Sequence, residues 1–329
     1  MTINEIAQLA GVSRATVSRY LNNGYVSADK KERIKKVIDE TGYKPSTFAQ
    51  TLRSKKTNYI GVIIPKINSD SIGRMVAGIT NVLSDNNYQL LLACTNNNAS
   101  EELKYLNLFK ENQVDGIILL GTVFTKEHIK TLSSYQVPIV ILGQSLEGFS
   151  CIYSNDYMAA YSLGEKLAKT SNNTGMIFVT KKDKAVGFNR RKGFIDAFKA
   201  NHKNINQKQI IETAFTLEAG YDACKKLFTD NPDLDTLICA TDTIASGAIK
   251  YLREIGKKIP EDVQISGFGD SAFSRVSYPS LTTVHFYYEE AGQKASTLLL
   301  RKINNKDEEI SDTYELDYSL EIRESTRTN

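Results

Sequence analysis

Along the first 58 residues apolar positions recur at the spacing of short helices. From Tyr59 onward they form short runs separated by longer amphipathic stretches. Thr2-Ile3-Asn4-Glu5 has the form of a capping box, in which the threonine hydroxyl accepts from the N3 amide while the glutamate reaches back. Ile6, Ala7, Leu9 and Ala10 then supply an apolar stripe, and Gly11 can take the positive φ of a tight turn. Ser13 is placed to cap a second helix, with Val17 and Leu21 inward and Arg14, Thr16, Ser18 and Arg19 largely outward. Ile34, Val37 and Ile38 mark a third helix, closed by Gly42. Three helices with a glycine turn between the first two make a helix-turn-helix pattern.

The rest of the chain alternates strands and helices. Ile60-Gly61-Val62-Ile63-Ile64 is a continuous apolar run of the kind found in a strand buried on both faces. It is followed by Ile72, Met75, Val76, Ile79, Val82 and Leu83 at helical spacing, and the theme repeats through Leu90–Leu92, Gly116–Leu120 and Pro138–Leu142. A second series begins near Met176–Val179 and runs through Gln209–Ile211, Leu237–Cys239 and Val263–Ser266. Two such series predict two doubly wound lobes, each with a mainly parallel sheet. Leu316, Tyr318, Leu320 and Ile322 alternate with polar residues and read as one edge or one-sided strand.

Charge sharpens this division. Residues 1–58 carry 11 basic and 5 acidic side chains, a net +6, so the remainder of a chain of net +3 carries −3. A basic head on a mildly acidic body suggests that the head meets a polyanion, although a solvated basic face is the plainer alternative. Four scattered cysteines (Cys94, Cys151, Cys224, Cys239) form no C-x-x-C pair, and three separated histidines give no metal spacing, so neither a disulfide framework nor a metal or other cofactor is expected. No run of about 18 apolar residues exists to cross a membrane. The opening Met1–Glu5 lacks a basic region leading into an apolar stretch, so the expected compartment is the cytoplasm. P-loop, H-E-x-x-H, G-x-S-x-G and G-x-G-x-x-G patterns are all missing, and nothing asks for an enzyme.

The segment Ile3-Asn4-Glu5-Ile6-Ala7-Gln8-Leu9-Ala10-Gly11-Val12-Ser13-Arg14-Ala15-Thr16-Val17-Ser18-Arg19-Tyr20-Leu21-Asn22 resembles the DNA-binding segment of the lactose/galactose repressor family. The resemblance continues through Gly42–Pro45, Phe48–Arg53, Arg190–Phe194, Ala240–Ala248, Gly267-Phe268 and Leu281–Val284, and so spans essentially the whole chain. It implies an all-α helix-turn-helix domain (1–44), a hinge helix and linker (45–58), and a two-lobed body like periplasmic binding proteins (59–329), with crossings near 155–175 and 270–290. On DNA it implies roles for Thr2, Ser13, Arg14, Ala15, Thr16, Ser18, Arg19 and Asn22, a Leu52 wedge in the minor groove, and phosphate contact by Arg53.

Ligands of such bodies sit between the lobes at the carboxyl ends of the strands, which brackets Pro65–Ile72, Gly143-Gln144, Asn155–Tyr157, Arg190, Phe215, Thr241-Asp242 and Gly269-Asp270. The resulting candidates are Ser69, Ser71, Ile72, Gln144, Tyr157, Arg190, Phe215, Thr241, Asp242 and Asp270. Phe215 could stack on a sugar face or belong to the core. Three loops depart from the family pattern: Thr241 precedes Asp242, Gly269 stands where a carboxylate is usual, and Asn68–Ile72 replaces N-P-F-F. The loops look most similar to repressors of sucrose or related disaccharide operons. The implied function is a homodimeric regulator that binds near-palindromic operator DNA and is released by a sugar or sugar phosphate. A corepressor-dependent regulator and a transport-type solute-binding protein are the alternatives.

Overall fold

In the computed structural model, which describes residues 1–43, 56–112, 114–305 and 312–327, the chain divides into two units, Met1–Thr57 and Asn58–Asn329. The first unit begins with α1 (Ile3–Leu9), where the Thr2 amide donates to Glu5 Oε2 at 2.8 Å and the Glu5 amide to Thr2 Oγ1 at 3.4 Å. This is the capping box read from the sequence. Gly11, at φ +60°, turns the chain into α2 (Arg14–Leu21), and α3 (Ala28–Thr41) ends at a left-handed Gly42. Ile6, Ala7, Ala10, Val17 and Ile34 close a small core. Leu9, expected in the stripe, is 60% exposed. At about 100° per residue it lies well off the line through Ile6, Ala7 and Ala10.

The second unit holds the two lobes. In the first, β1 (Tyr59–Ile64), α4 (Asp70–Asp85), β2 (Gln89–Cys94), α5 (Ala99–Glu111), β3 (Gly116–Leu119), α6 (Lys126–Ser133), β4 (Ile139–Leu142) and β5 (Ser150–Ser154) follow in turn. The second contains α7 (Asp156–Thr170), β6 (Thr174–Phe178), a π-helical turn (Lys184–Asn189), α8 (Arg190–Ala200) and β7 (Ile210–Glu212). It continues with α9 (Leu217–Asp230), β8 (Thr236–Cys239), α10 (Asp242–Glu254), β9 (Gln264–Ser266), the short α11 (Ala272–Val276) and β10 (Thr283–Phe286). The chain then returns to the first lobe for α12 (Tyr288–Asn304) and β11 (Thr313–Leu316), and ends in the second with β12 (Tyr318–Glu321).

Strand order in the first sheet is β11-β5-β4-β3-β1-β2 and in the second β7-β6-β8-β9, with parallel pairing throughout both. Apolar runs buried on both faces suit that arrangement, because helices cover each side. One face of the first sheet packs on α4 and α12, the other against Leu106 and Phe109 of α5 and Leu132 of α6. Helices α4 and α12 cross closely: a Cβ on Gly78 would fall 2.0 Å from the Glu289 carbonyl, and one on Gly292 2.0 Å from that of Met75.

Three single residues, Asn155, Tyr287 and Asp317, connect elements of one lobe to elements of the other. The third crossing corrects the sequence reading, in which residues 316–322 formed one strand. β11 pairs in parallel with β5, whereas β12 pairs antiparallel with β10. The alternation of apolar and polar residues runs on because both strands share the period of two. Beyond β12, Arg327 binds carbonyls of Thr170 (3.0 Å), Asp235 (3.1 Å) and Pro260 (3.1 Å), lacing the end of the chain into the second lobe.

Candidate functional site

In the first unit the outward face of α2 is the chemically distinctive surface. Val17 is fully buried, which turns Arg14, Ala15 and Arg19 to solvent. The Ser13 hydroxyl accepts from the Thr16 amide at 3.2 Å and lies 2.9 Å from the Thr16 hydroxyl, fixing the N-terminus of the helix. The stem of Arg19 passes over Gly24, where a Cβ would sit 2.7 Å from Arg19 Cγ. Of the other expected DNA residues, Thr2 serves its own cap and Asn22 donates to the Ser18 carbonyl. Leu52 and Arg53 lie outside the described residues.

In the second unit a cleft between the lobes opens over the carboxyl ends of the strands, with about 1190 Å³ of space between atoms, its mouth included. Its second-lobe wall is built on Arg190, 5% exposed. Arg190 Nε donates to Asp156 Oδ1 at 2.6 Å and Nη1 to the Ala240 carbonyl at 2.8 Å, while the guanidinium lies over Phe268 (4.7 Å) and Phe286 (5.3 Å). Burial raises the Asp156 carboxyl and Arg190 opposes the shift. Asp183 caps the π-helical turn by accepting from the Val186 amide at 2.9 Å. Burial pushes its carboxyl up to about 6 against that hydrogen bond.

The first-lobe wall is different in kind. Lys66, just past β1, donates from Nζ to the Phe215 carbonyl across the cleft at 3.1 Å and lies 4.6 Å from the centre of the Phe215 ring. Arg74 pairs with Asp70 at 2.9 Å, donates to the Gly269 carbonyl, and lies over Tyr288, 4.9 Å from its ring centre. Tyr288 packs against the cores of both lobes. Behind this wall sits a buried pair, His128 Nε2 3.3 Å from Glu102 Oε1. Nδ1 of His128 accepts from the Thr125 amide at 3.3 Å, which leaves the proton on Nε2, toward Glu102.

The cleft thus brings together Ser69, Ser71, Ile72, Gln144, Arg190, Phe215, Thr241 and Asp242. Phe215 is both partly packed on the second-lobe core and present in the cleft. Thr241 caps α10 through the Ile244 amide at 3.2 Å. Both oxygens of Asp242 are engaged within its own lobe, by Thr283 Oγ1 at 2.6 Å and the Ser271 amide at 2.7 Å. Two expected residues are not in the cleft. Tyr157, one step round α7 from Asp156, points away and donates to Asp196 at 2.9 Å. Asp270, at a positive φ of 46° following Gly269 at 126°, is turned away from the cleft into a buried cluster, where it meets Arg323 at 2.6 Å, His285 at 2.9 Å and Arg275 at 3.1 Å. Burial would raise its carboxyl, but these partners together lower it to about 2.

Lys66, Arg74, Asp156, Asp183 and Tyr288 are cleft residues that the sequence does not mark individually. Lys66 and Asp156 fall inside the strand-end brackets of the sequence, but Arg74, Asp183 and Tyr288 carry no local signal. Among the described residues no group of three His, Cys, Asp or Glu is placed to hold a metal, and no helix is long and apolar enough to cross a membrane.

Residues 2–46 match the model of bacterial regulatory proteins of the lacI family, and residues 57–318 that of periplasmic binding proteins and the sugar binding domain of the LacI family. The chain belongs to the LacI family of transcriptional regulators. It is 37% identical over 305 residues to a sucrose operon repressor of Staphylococcus xylosus, covering 92% of this chain and 94% of the relative. It is 31% identical to catabolite control protein A of Priestia megaterium, with 99% of both chains covered. A transcriptional regulator CelR–cellobiose complex aligns over 99% of both chains with TM-score 0.76 and 26% identity. The lac repressor dimer bound to operator and the anti-inducer ONPF shares the fold, with TM-score 0.88 at 20% identity over 100% of this chain and 99% of that one. These relatives are regulators of transcription and not enzymes, and the LacI-family fold of a helical head with a two-lobed parallel body is the one described above.

Proposed function

We propose that this LacI-family regulator is a homodimeric repressor of a carbohydrate-utilisation operon, sucrose-like in its specificity, that leaves its operator when a sugar or sugar phosphate occupies the cleft. The observation that carries the reading is the face of α2. Arg14, Ala15 and Arg19 stand exposed above a buried Val17, on a segment of net +6. A helix so presented can enter a major groove, where arginine pairs with guanine edges. Leu52 and Arg53 complete the proposed DNA surface as minor-groove wedge and phosphate contact. Exposed Phe273, Val276 and Tyr278, at 39%, 80% and 82%, support a self-complementary contact between two copies near α11. The kinship with a sucrose operon repressor supports the choice of sugar.

The test is operator binding by the full chain across a salt series, with and without a panel of mono- and disaccharides. Binding should demand two inverted half-sites, fall steeply with salt, and weaken in the presence of one sugar class. Equal binding to a single half-site would overturn the dimeric reading. Tightening by the sugar would replace release with corepression.

A further inference from the structure

The charges of the cleft are unevenly matched. Of its three cations, Arg190 pairs with Asp156 at 2.6 Å and Arg74 with Asp70 at 2.9 Å. Lys66 faces no carboxylate among the described residues: its contacts are a carbonyl and an aromatic ring, both of Phe215. An ammonium carries three donors, and one carbonyl uses one of them. Burial depresses the Lys66 ammonium with no acidic neighbour to oppose it. A half-buried cation without a counter-charge is costly, and the cost is recovered when a charged partner arrives. Nearby, Arg74 Nε is buried without a hydrogen-bond partner, while the Ser69 and Ser71 hydroxyls lie 3.1 Å apart on the same wall.

The opposite wall carries the other polarity. Asp183 and the rings of Phe268 and Phe286 line the cleft there, which suits a polyol that donates hydroxyls and lays an apolar face on aromatics. Asp156 and Asp242 contribute little free charge there, being bound by Arg190 and by Thr283 and Ser271.

We infer that the effector is an anionic carbohydrate, a phosphorylated sugar, whose polyol end rests on the Arg190–Asp183 wall and whose phosphate is held by Lys66 with Ser69, Ser71 and Arg74. The inference rests on the sugar-responsive reading above and sharpens it. It is tested on the full chain by calorimetry with matched pairs: sucrose and sucrose 6-phosphate, glucose and glucose 6-phosphate, fructose and fructose 1-phosphate. In the recognised pair the phosphorylated member should bind roughly tenfold or more tighter, the range for hydrogen bonds to a charged group. Lys66→Gln, which keeps a donor for the Phe215 carbonyl, should narrow that gap, and Lys66→Arg should restore it. Arg190→Lys should weaken both members of the pair, because it acts on the polyol end. If a neutral member binds as tightly as its phosphate, or Lys66→Gln leaves the gap intact, the inference falls and the sugar-responsive reading stands. If no member of any pair binds, both fall.

Discussion

The two walls of the cleft differ in where their polar groups find partners. On the second lobe they are satisfied at home: Arg190 by Asp156 and the Ala240 carbonyl, Asp242 by Thr283 and Ser271, and Asp183 by the Val186 amide. On the first lobe the long side chains reach across, Lys66 to the Phe215 carbonyl and Arg74 to that of Gly269. The second lobe is therefore a preorganised platform, and a ligand meets its donors without reordering them. The first lobe makes bonds that exist only while the lobes are close, so its contacts report closure. If the proposed response to sugar moves one lobe against the other, rigid and reporting functions are then divided between the two walls.

The largest expected effect breaks the platform. Arg190→Ala strands the buried Asp156 carboxylate, and removing one partner of a buried pair costs about 3–5 kcal/mol. Calorimetric melting should show a clear fall in Tm together with loss of sugar binding. Asp156→Leu combined with Arg190→Met should recover much of the stability but none of the binding. An unchanged Tm in Arg190→Ala would show that the platform is not held this way.

Next in size is the buried Glu102 carboxyl behind the first-lobe wall, whose Oε1 has no hydrogen-bond partner and which qualifies the contrast. Burial lifts the Glu102 carboxyl from 4.5 to about 7, so the folded protein takes up a proton there that the unfolded chain does not. Its contribution to stability should decline as pH rises from about 4.5 to about 7 and level off above, a span of at most ~3 kcal/mol. Glu102→Gln should flatten that slope and stabilise the body at pH 8. Unfolding in denaturant at both pH values reads this directly, and an unaltered slope would show Glu102 to be charged throughout.

Asp242→Ala removes two hydrogen bonds, one to the Thr283 hydroxyl on β10 and one to the Ser271 amide just past Asp270, for a loss of about 2–3 kcal/mol. Ligand affinity should follow only as far as the loop is disturbed. Smallest is Lys66→Ala, which should change stability by less than about 1 kcal/mol, since one half-exposed hydrogen bond is lost. Its effect should appear in closure, as a shift in the small-angle scattering profile of the ligand-free body. A stability loss as large as that of Asp242→Ala would erase the distinction between the walls.

What the sequence revealed follows from how local each feature is. The capping box at Thr2, the Gly11 turn and the outward Arg14 and Arg19 depend on neighbours within a few residues, and they are legible there. The apolar runs of β1, β3 and β4 report burial on both faces, which requires only that helices lie above and below. Asp270 lies off the cleft because its place is decided by Arg323, 53 residues later, and by positive φ at two consecutive positions. Tyr157 lies off the cleft because the first turn of α7 offers it one side chain, and Asp156 takes that place. Arg74 and Tyr288 could not be found at all by spacing, since the crossing of α4 and α12 alone brings them face to face.

The third crossing at Asp317 has a consequence for the order in which the molecule is made. Among the described residues the core of the head lies within residues 3–43, whereas the first lobe lacks its edge strand until Leu316 is in place, and Arg323, Ser325 and Arg327 tie the tail into the second. Synthesis proceeds from the amino terminus and domains fold as units when their residues are available. The DNA-reading part can thus take shape while the part that senses the sugar still waits for β11, β12 and the arginines that follow them.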